Sequence, residues 1–305
     1  MHKFLDEYLK KSQLSDESLA VGCSGGVDSM VLLDSLIKIH PKGKIYCLHL
    51  DHGWREDSKD CINFLEEYCK RNGIRFLYKS YKLGEMKVDE NTARESRYKF
   101  FTEACEVINS KNLLLAHNFD DDVETITFRL IRGTSSSGLT GIPSSRLLND
   151  KIQLHRPFLE IEKKEIQKFA EKEGIEFKED LSNLDTNYAR NLIRIEILPL
   201  LEKINPSVKD NISSLSKIIE EENEYLEEQA KKALENLGDL AWDLEDLRKL
   251  PKAILRRVLE KTFTPNIRFC NEFMEAIHDG GFHKINYSKG KFFAIRKKQI
   301  NLEYN

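Results

Sequence analysis

A strand, a glycine turn and a helix follow one another without a break between residues 19 and 39, and this unit limits the fold more than any other stretch. The apolar run 19–23 leads into Ser24-Gly25-Gly26-Val27-Asp28-Ser29, after which residues 27–39 keep a helical apolar period. Two adjacent glycines let the backbone approach an anion closely, and a helix starting at once points unpaired N–H groups at it. Ser24 and Ser29 add hydroxyl donors. Asp28 disfavours a bare phosphate and makes sense there as a ligand to Mg²⁺. A plain strand–helix turn has the same outline but gives the acid no task. Neither G-x-x-x-x-G-K-[ST] nor G-x-G-x-x-G occurs in the chain.

The same alternation continues. Residues 44–50, 75–81 and 113–116 read as further strands, and 56–72, 91–109 and 119–131 as the helices between them. Regular βα alternation predicts a doubly wound α/β fold, a parallel sheet with helices on both faces. Ligands in such sheets bind beyond the carboxyl ends of the strands, where Ser24, His49, Asp51 and His117 all fall. The Gly/Ser-rich stretch 132–143 reads as a mobile loop. Helices are expected at 162–173 and 188–203, then one long helix over 207–236, followed by a small α/β module. At 305 residues the chain has room for two domains of ~150 each. The expected division is 1–205 and 206–305, at Asn205-Pro206.

No apolar run reaches the ~18–20 residues of a membrane span, and the first residues have no secretory character, so a cytoplasmic protein is expected. The six cysteines form no C-x-x-C pair and read as buried reduced thiols. Net charge is −3 but unevenly placed: residues 215–250 hold eleven acids and five Lys or Arg, and 251–305 hold five acids and eleven Lys or Arg. Interleaved aromatics such as Phe269 and Phe273 make the basic segment (Arg256, Arg257, Arg296, Lys297) equally suited to a nucleic-acid surface or to a solvated face over an aromatic core.

His117 ends a strand, and Asp121 and Glu124 follow at i+4 and i+7, so the two acids share a helical face beside it. That arrangement suits catalysis or metal assistance. Asp120-Asp121-Asp122 equally suits the positive end of a helix, and the residues alone leave both roles open. Arg94 and Arg97 share one helix, and Arg190 and Arg194 another. Planar guanidinium forks suit phosphates.

Taken in order, these pieces resemble the tRNA(Ile)-lysidine synthetase family of N-type ATP pyrophosphatases. The matching motifs are SGGVDS at 24–29, HLDHGWR at 49–55, ARESRYKF at 93–100, AHNFDDDVET at 116–125, RGTSSSGLTGI at 132–142, RPFL at 156–159, EDLSN at 179–183 and RNLIR at 190–194. The resemblance covers about residues 15–205. The remainder resembles only the general plan of the shorter members, a long helix and a small tRNA-binding domain.

The resemblance implies an adenine nucleotide alpha hydrolase-like fold and an ATP-dependent ligase. Such a ligase joins L-lysine to the wobble cytidine of the tRNA(Ile) with a CAU anticodon, through an adenylated tRNA, releasing AMP and pyrophosphate. It implies that Ser24, Gly25, Gly26, Val27, Asp28 and Ser29 hold the pyrophosphate of ATP, with Asp28 on Mg²⁺. His49 and His52 would lie over the adenosine. His117, Asp121 and Glu124 match the catalytic cluster, Arg97 a phosphate-side arginine, and Arg194 an essential basic residue. The oligomeric state stays open, a homodimer included. Two positions depart from the family pattern: Asn118 stands where a second histidine is common, and Ser135 where glycine is common. A tRNA thiolase of the same fold and a non-catalytic ATP-binding module are the competing readings. The absence of C-x-x-C pairs counts against the first, and the joint presence of Asp28, Arg97, His117, Asp121, Glu124 and Arg194 against the second.

Overall fold

The computed structural model describes residues 1–53, 58–81, 90–178, 188–238, 242–263, 267–279, 283–288, 291–296 and 299–304. Trp54 and Arg55 of the second motif, the whole EDLSN motif and Lys297 lie outside them. The chain forms two compact units, Met1–Ile131 with Gly141–Ser213, and Arg132–Thr140 with Ser214–Asn305.

The first unit is built on strands β1 (Leu19–Gly22), β2 (Ile45–Asp51), β3 (Arg75–Ser80), β4 (Asn112–Leu115), β5 (Ser145–Leu147) and β6 (Gln153–His155). They lie in the order β3-β2-β1-β4-β6-β5. All neighbours are parallel except β5, which runs antiparallel to β6 at the edge. The expected doubly wound α/β sheet is present. Side chains alternate across it, as the period of two demands. Leu19, Val21, Ile45, Cys47 and Leu114 pack with Met30, Leu33 and Leu36 of α2 (Val27–Ile39), Leu5 and Leu9 of α1 (His2–Lys11) and Ile166 of α6 (Lys163–Glu173). On the opposite face Ala20, Leu48, Leu113 and Leu115 pack with Phe100, Phe101 and Cys105 of α4 (Glu90–Val107). Helix α3 (Ser58–Asn72) adds Leu65 to the first layer.

Helix α5 (Phe119–Arg132) follows β4, and the segment after residue 188 is helical in three pieces: α7 (Ala189–Leu192), a π-helical turn (Ile193–Ile197) and α8 (Leu198–Ile204). Val123 of α5, Ile193 and Leu198 form one small buried cluster, which holds this segment against α5.

The second unit contains most of α9 (Val208–Leu237), then α10 (Leu244–Lys249), α11 (Lys252–Phe263) and α12 (Ile267–Asp279), followed by an antiparallel sheet in the order β7-β8-β9 (His283–Ser288, Lys291–Arg296, Gln299–Tyr304). Its core includes Trp242, Leu255, Leu259, Phe269, Phe273 and Ile277. Phe269 and Phe273 are therefore core residues and not an open stacking surface. Arg257 is only 5% exposed. It donates to Asn223 Oδ1, to Ser136 Oγ at 3.3 Å and to Glu227 Oε1 at 3.3 Å, so it is an internal strut and not part of a basic face. Residues Ser136–Leu139 form a short 3-10 turn, and Ser136 also bonds Asn223 at 3.1 Å. Ser135 has φ −76°, backbone that any residue adopts, so a glycine is not needed there.

Among the described residues no helix is long and apolar enough to cross a membrane.

Candidate active site

Gly25 sits at φ +85°, and a Cβ there would stand 2.6 Å from Cys61 Sγ, so the turn after β1 requires glycine. The loop is braced internally. Ser29 Oγ donates to Gly26 O at 2.9 Å, accepts from Ser24 N at 3.2 Å and lies 3.3 Å from Ser24 Oγ. Lys178 N donates to Gly25 O at 2.9 Å, which ties the segment after α6 to the loop. Gly26 is the N-cap of α2 and has no side chain to cap it, so Val27 and the following residues begin the helix with no side-chain acceptor on their N–H groups.

Burial pushes the Asp28 carboxyl up to about 6, against the pull of Lys163. Its Oδ1 is buried without a hydrogen-bond partner, as is His117 Nδ1. Unpaired buried polar atoms at one place in a sheet's ligand-binding edge are what a bound group would satisfy.

The three consecutive acids of α5 have separate tasks. Asn118 caps α5 reciprocally with Asp121: Asp121 N donates to Asn118 Oδ1 at 3.1 Å, and Asn118 N to Asp121 Oδ2 at 3.0 Å. The departure from histidine at 118 thus has a structural role. Asp120 accepts from Lys163 N at 2.8 Å and from Lys209 Nζ at 3.1 Å. Asp122 Oδ1 accepts from Ile142 N at 2.5 Å. Gly141 at φ +70° makes that approach feasible, since a Cβ there would meet Asp122 Oδ1 at 2.3 Å. The Gly/Ser-rich loop expected to be mobile is therefore fastened at this end.

Asp121 turns its other oxygen to Arg194, 3.3 Å from Nη2. Glu124, one turn on, is 3% exposed and takes both Arg194 Nε at 2.6 Å and Nη2 at 2.8 Å. Arg194 lies in the π turn. Burial raises both the Asp121 and the Glu124 carboxyls above the ordinary carboxylate range, and Arg194 offsets only part of this.

His117 is driven the other way. Burial first, then the charges of Arg156, Arg94, Arg97 and Arg190, push its imidazole down to about 3. It is a neutral group at any physiological pH, able to accept a hydrogen bond but bringing no charge. His49 is buried, with Nδ1 2.8 Å from Cys23 O. His52 Nε2 accepts from Arg97 Nη2 at 3.4 Å, and burial with that guanidinium pushes its pKa down to about 4. Arg97 thus lies at the β2 loop beside His52.

The structure joins Asp28, Asp121, Glu124 and Arg194 electrostatically, places His117 between β4 and α5 under the charges of Arg156, Arg94, Arg97 and Arg190, and sets His49, His52 and Arg97 at the end of β2. Lys163, whose charge acts on Asp28, Asp121 and Glu124, carries no signal of its own in the sequence. It opens α6, shortly after the RPFL motif. In the sequence Arg156 stands out only as part of that motif. It is 2% exposed and donates to Pro143 O at 2.5 Å.

The PP-loop domain family matches residues 1–201. The chain belongs to the PP-loop family. Domains of this family use ATP. Among curated proteins, the tRNA(Ile)-lysidine synthase of Persephonella marina is 33% identical over 291 residues, which are 90% of this chain and 63% of that protein. The bifunctional TilS/HprT protein of Listeria monocytogenes is 38% identical over 234 residues, 74% of this chain and 36% of that one. The tRNA(Ile)-lysidine synthase of Staphylococcus aureus (strain MRSA252) is 35% identical over 226 residues, 72% of this chain and 52% of that one. The chain therefore spans between about a third and two thirds of the length of these relatives. Among solved structures, the U34-tRNA thiolase NcsA of Methanococcus maripaludis, with its [4Fe-4S] cluster, superposes with a TM-score of 0.57 at 18% identity, covering 72% of this chain and 80% of that one. That likeness supports the PP-loop fold.

Proposed function

We propose that this chain ligates L-lysine to the wobble cytidine of the tRNA(Ile) bearing a CAU anticodon, using ATP and releasing AMP and pyrophosphate. The observation that carries the reading is the meeting of Asp28, Asp121, Glu124 and Arg194 beside a neutral His117 at the phosphate loop. The relatives named tRNA(Ile)-lysidine synthase support it.

In this reading Ser24, Gly25, Gly26, Val27 and Ser29 cradle the pyrophosphate of ATP, His49 and His52 flank the adenosine, and Arg97 stands on the phosphate side. Asp28 is the ligand for Mg²⁺, whose bound charge would neutralise the phosphate oxygens. Its unpartnered Oδ1 fits that role.

The chemistry has two steps. Cytosine O2 attacks the α-phosphorus and pyrophosphate leaves. The lysine amine then adds at carbon 2 of the ring, and AMP departs with the electrons of the C–O bond. Forming the C–N bond releases a proton, and Asp121, whose carboxyl burial raises above the ordinary range, is the base that takes it. Arg194 fixes Glu124 and Asp121 in place, so their geometry is set before the substrates arrive. Residues 1–205 carry this chemistry and 206–305 hold the tRNA body.

The test is incubation with ATP, Mg²⁺, labelled lysine and transcripts of the CAU-bearing tRNA(Ile) and tRNA(Met). Label should enter the first and not the second, with one AMP per lysine. Lysine-independent sulfur transfer to the tRNA would instead favour a thiolase. Against that alternative, Cys23, Cys47 and Cys69 lie in the apolar core, and contact with Cys23 and Cys69 holds the Cys47 thiol well above its ordinary pKa. A protonated core thiol is a poor metal ligand.

A further inference from the structure

A second charged site of the first unit centres on Tyr98. Helix α4 carries Arg94 and Tyr98 on one face, and the guanidinium carbon of Arg94 lies 5.0 Å from the Tyr98 ring centroid. Arg146, on the edge strand β5, approaches the same ring to 5.0 Å. These residues, with Glu95, Thr102 and Leu148, line a pocket of about 550 Å³. Arg156 stands behind it, 2% exposed, with its Nε buried and unpartnered. Burial would raise the Tyr98 phenol, but Arg94, Arg146 and Arg156 together hold it below its ordinary pKa.

Three guanidinium groups around one ring repel one another, and among the described residues no carboxylate is ion-paired with any of them. The charge that completes such a cluster is an anion with several oxygens, and planar forks favour phosphate. ATP is not the best source of that phosphate. Strands β4 and β6 run parallel with Leu114 opposite His155, so His117 and Arg156 leave the sheet at the same end. The cluster thus lies on the His117 side, where the target base would be presented. Arg97, which the sequence groups with Arg94, turns instead to His52.

We propose that Arg94, Arg146 and Arg156 around Tyr98 form a notch for an RNA backbone phosphate next to the nucleotide offered to His117. This rests on the tRNA reading above. Guanidinium edges bind phosphate oxygens in pairs, which suits the exposed backbone of a single-stranded loop.

The experiment measures binding of an RNA hairpin carrying the CAU anticodon loop across a salt series, for the parent chain, Arg146→Ala and Arg94→Gln, with ATP binding measured in parallel. Each substitution should weaken hairpin binding about tenfold, by loss of a charged hydrogen bond. The log–log salt slope should become shallower by about 0.7–0.9 per lost contact. ATP affinity should stay the same. Either variant folding normally and binding the hairpin with the parent's affinity and slope overturns the notch, even if the parent forms lysidine. Weakened ATP binding with unchanged hairpin binding assigns the cluster to the nucleotide and also overturns it. A parent chain that does not bind the hairpin at all defeats both this inference and the proposed function.

Discussion

Arg194 holds Glu124 by two parallel bonds, Nε to Oε1 at 2.6 Å and Nη2 to Oε2 at 2.8 Å, and the same Nη2 reaches Asp121. Removing the guanidinium leaves Glu124, 3% exposed, as a buried carboxylate stripped of its partner. Losing one member of a buried pair costs roughly 3–5 kcal/mol. Arg194→Ala should therefore lose stability toward that range in urea denaturation, as well as lysine transfer. Arg194→Lys keeps the charge without the fork, and should recover part of the stability and little of the activity. An Arg194→Ala chain as stable and active as the parent would show that the pair is idle.

Asp28 predicts the opposite trend. Its folded pKa, about 6, lies above the ordinary carboxylate value, so its contribution to stability is intact below about pH 4 and is lost as pH rises through 6. Asp28→Asn should match the parent near pH 4 and exceed it at pH 8 by roughly 3 kcal/mol. It should also abolish AMP release. Denaturation curves at the two pH values, measured without nucleotide or metal, decide the matter. Equal curves for parent and variant at pH 8 would mean that the carboxylate is not under strain.

With its pKa near 3, His117 does not titrate in the working range. The acid limb of the pH–rate profile should therefore belong to a carboxylate and stay in place in His117→Gln, while the rate drops by about 10²–10³ through loss of a positioned polar group. The linkage sign is also set. A histidine depressed in the folded state stabilises fully above about pH 6.5 and less as pH falls toward 3, so the variant should gain on the parent only on the acid side. An acid limb that vanishes in His117→Gln would make the imidazole the titrating group.

Gly141→Ala tests the fastening of the loop to α5. The new Cβ meets Asp122 Oδ1 at 2.3 Å in a left-handed backbone at φ +70°. Strain of about 1–2 kcal/mol should lower the melting temperature by several degrees, on the order of 2–8 °C. The Asp122–Ile142 bond should loosen with it, read as faster hydrogen exchange at Ile142. Unchanged exchange there would count against the fastening.

The alternation of apolar runs was enough to place β1 to β4 and the helices between them, because the helices are long and periodic and β1 and β4, though four residues each, are unbroken buried runs. Strands β5 and β6 are three residues each, too short to show a period, and they take their strand character from pairing with one another and with β4. Helix α1 went unassigned although Leu5 and Leu9 carry the four-residue spacing of its buried face. At the site, residue type and motif order named the acids and His117, but three consecutive aspartates look alike in a sequence. Only their partners (Lys163 and Lys209 for Asp120, Arg194 and Asn118 for Asp121, Ile142 for Asp122) tell them apart. Arg257 misleads for the same reason: a basic residue in a basic segment gives no sign that Asn223 and Glu227 will enclose it.

Residues Arg132–Thr140 leave the first unit and pack as part of the second before the chain returns at Gly141, and it leaves again after Ser213. The polypeptide therefore passes between the units at three places. A stop codon after Ser213 severs only one of these passages and strips Ser136 of Asn223 and Arg257. Separating the two halves for independent study calls for replacing 132–140 with a short bridge as well as truncating the chain. Limited proteolysis within α9 alone should leave a nicked pair of fragments still joined through that excursion.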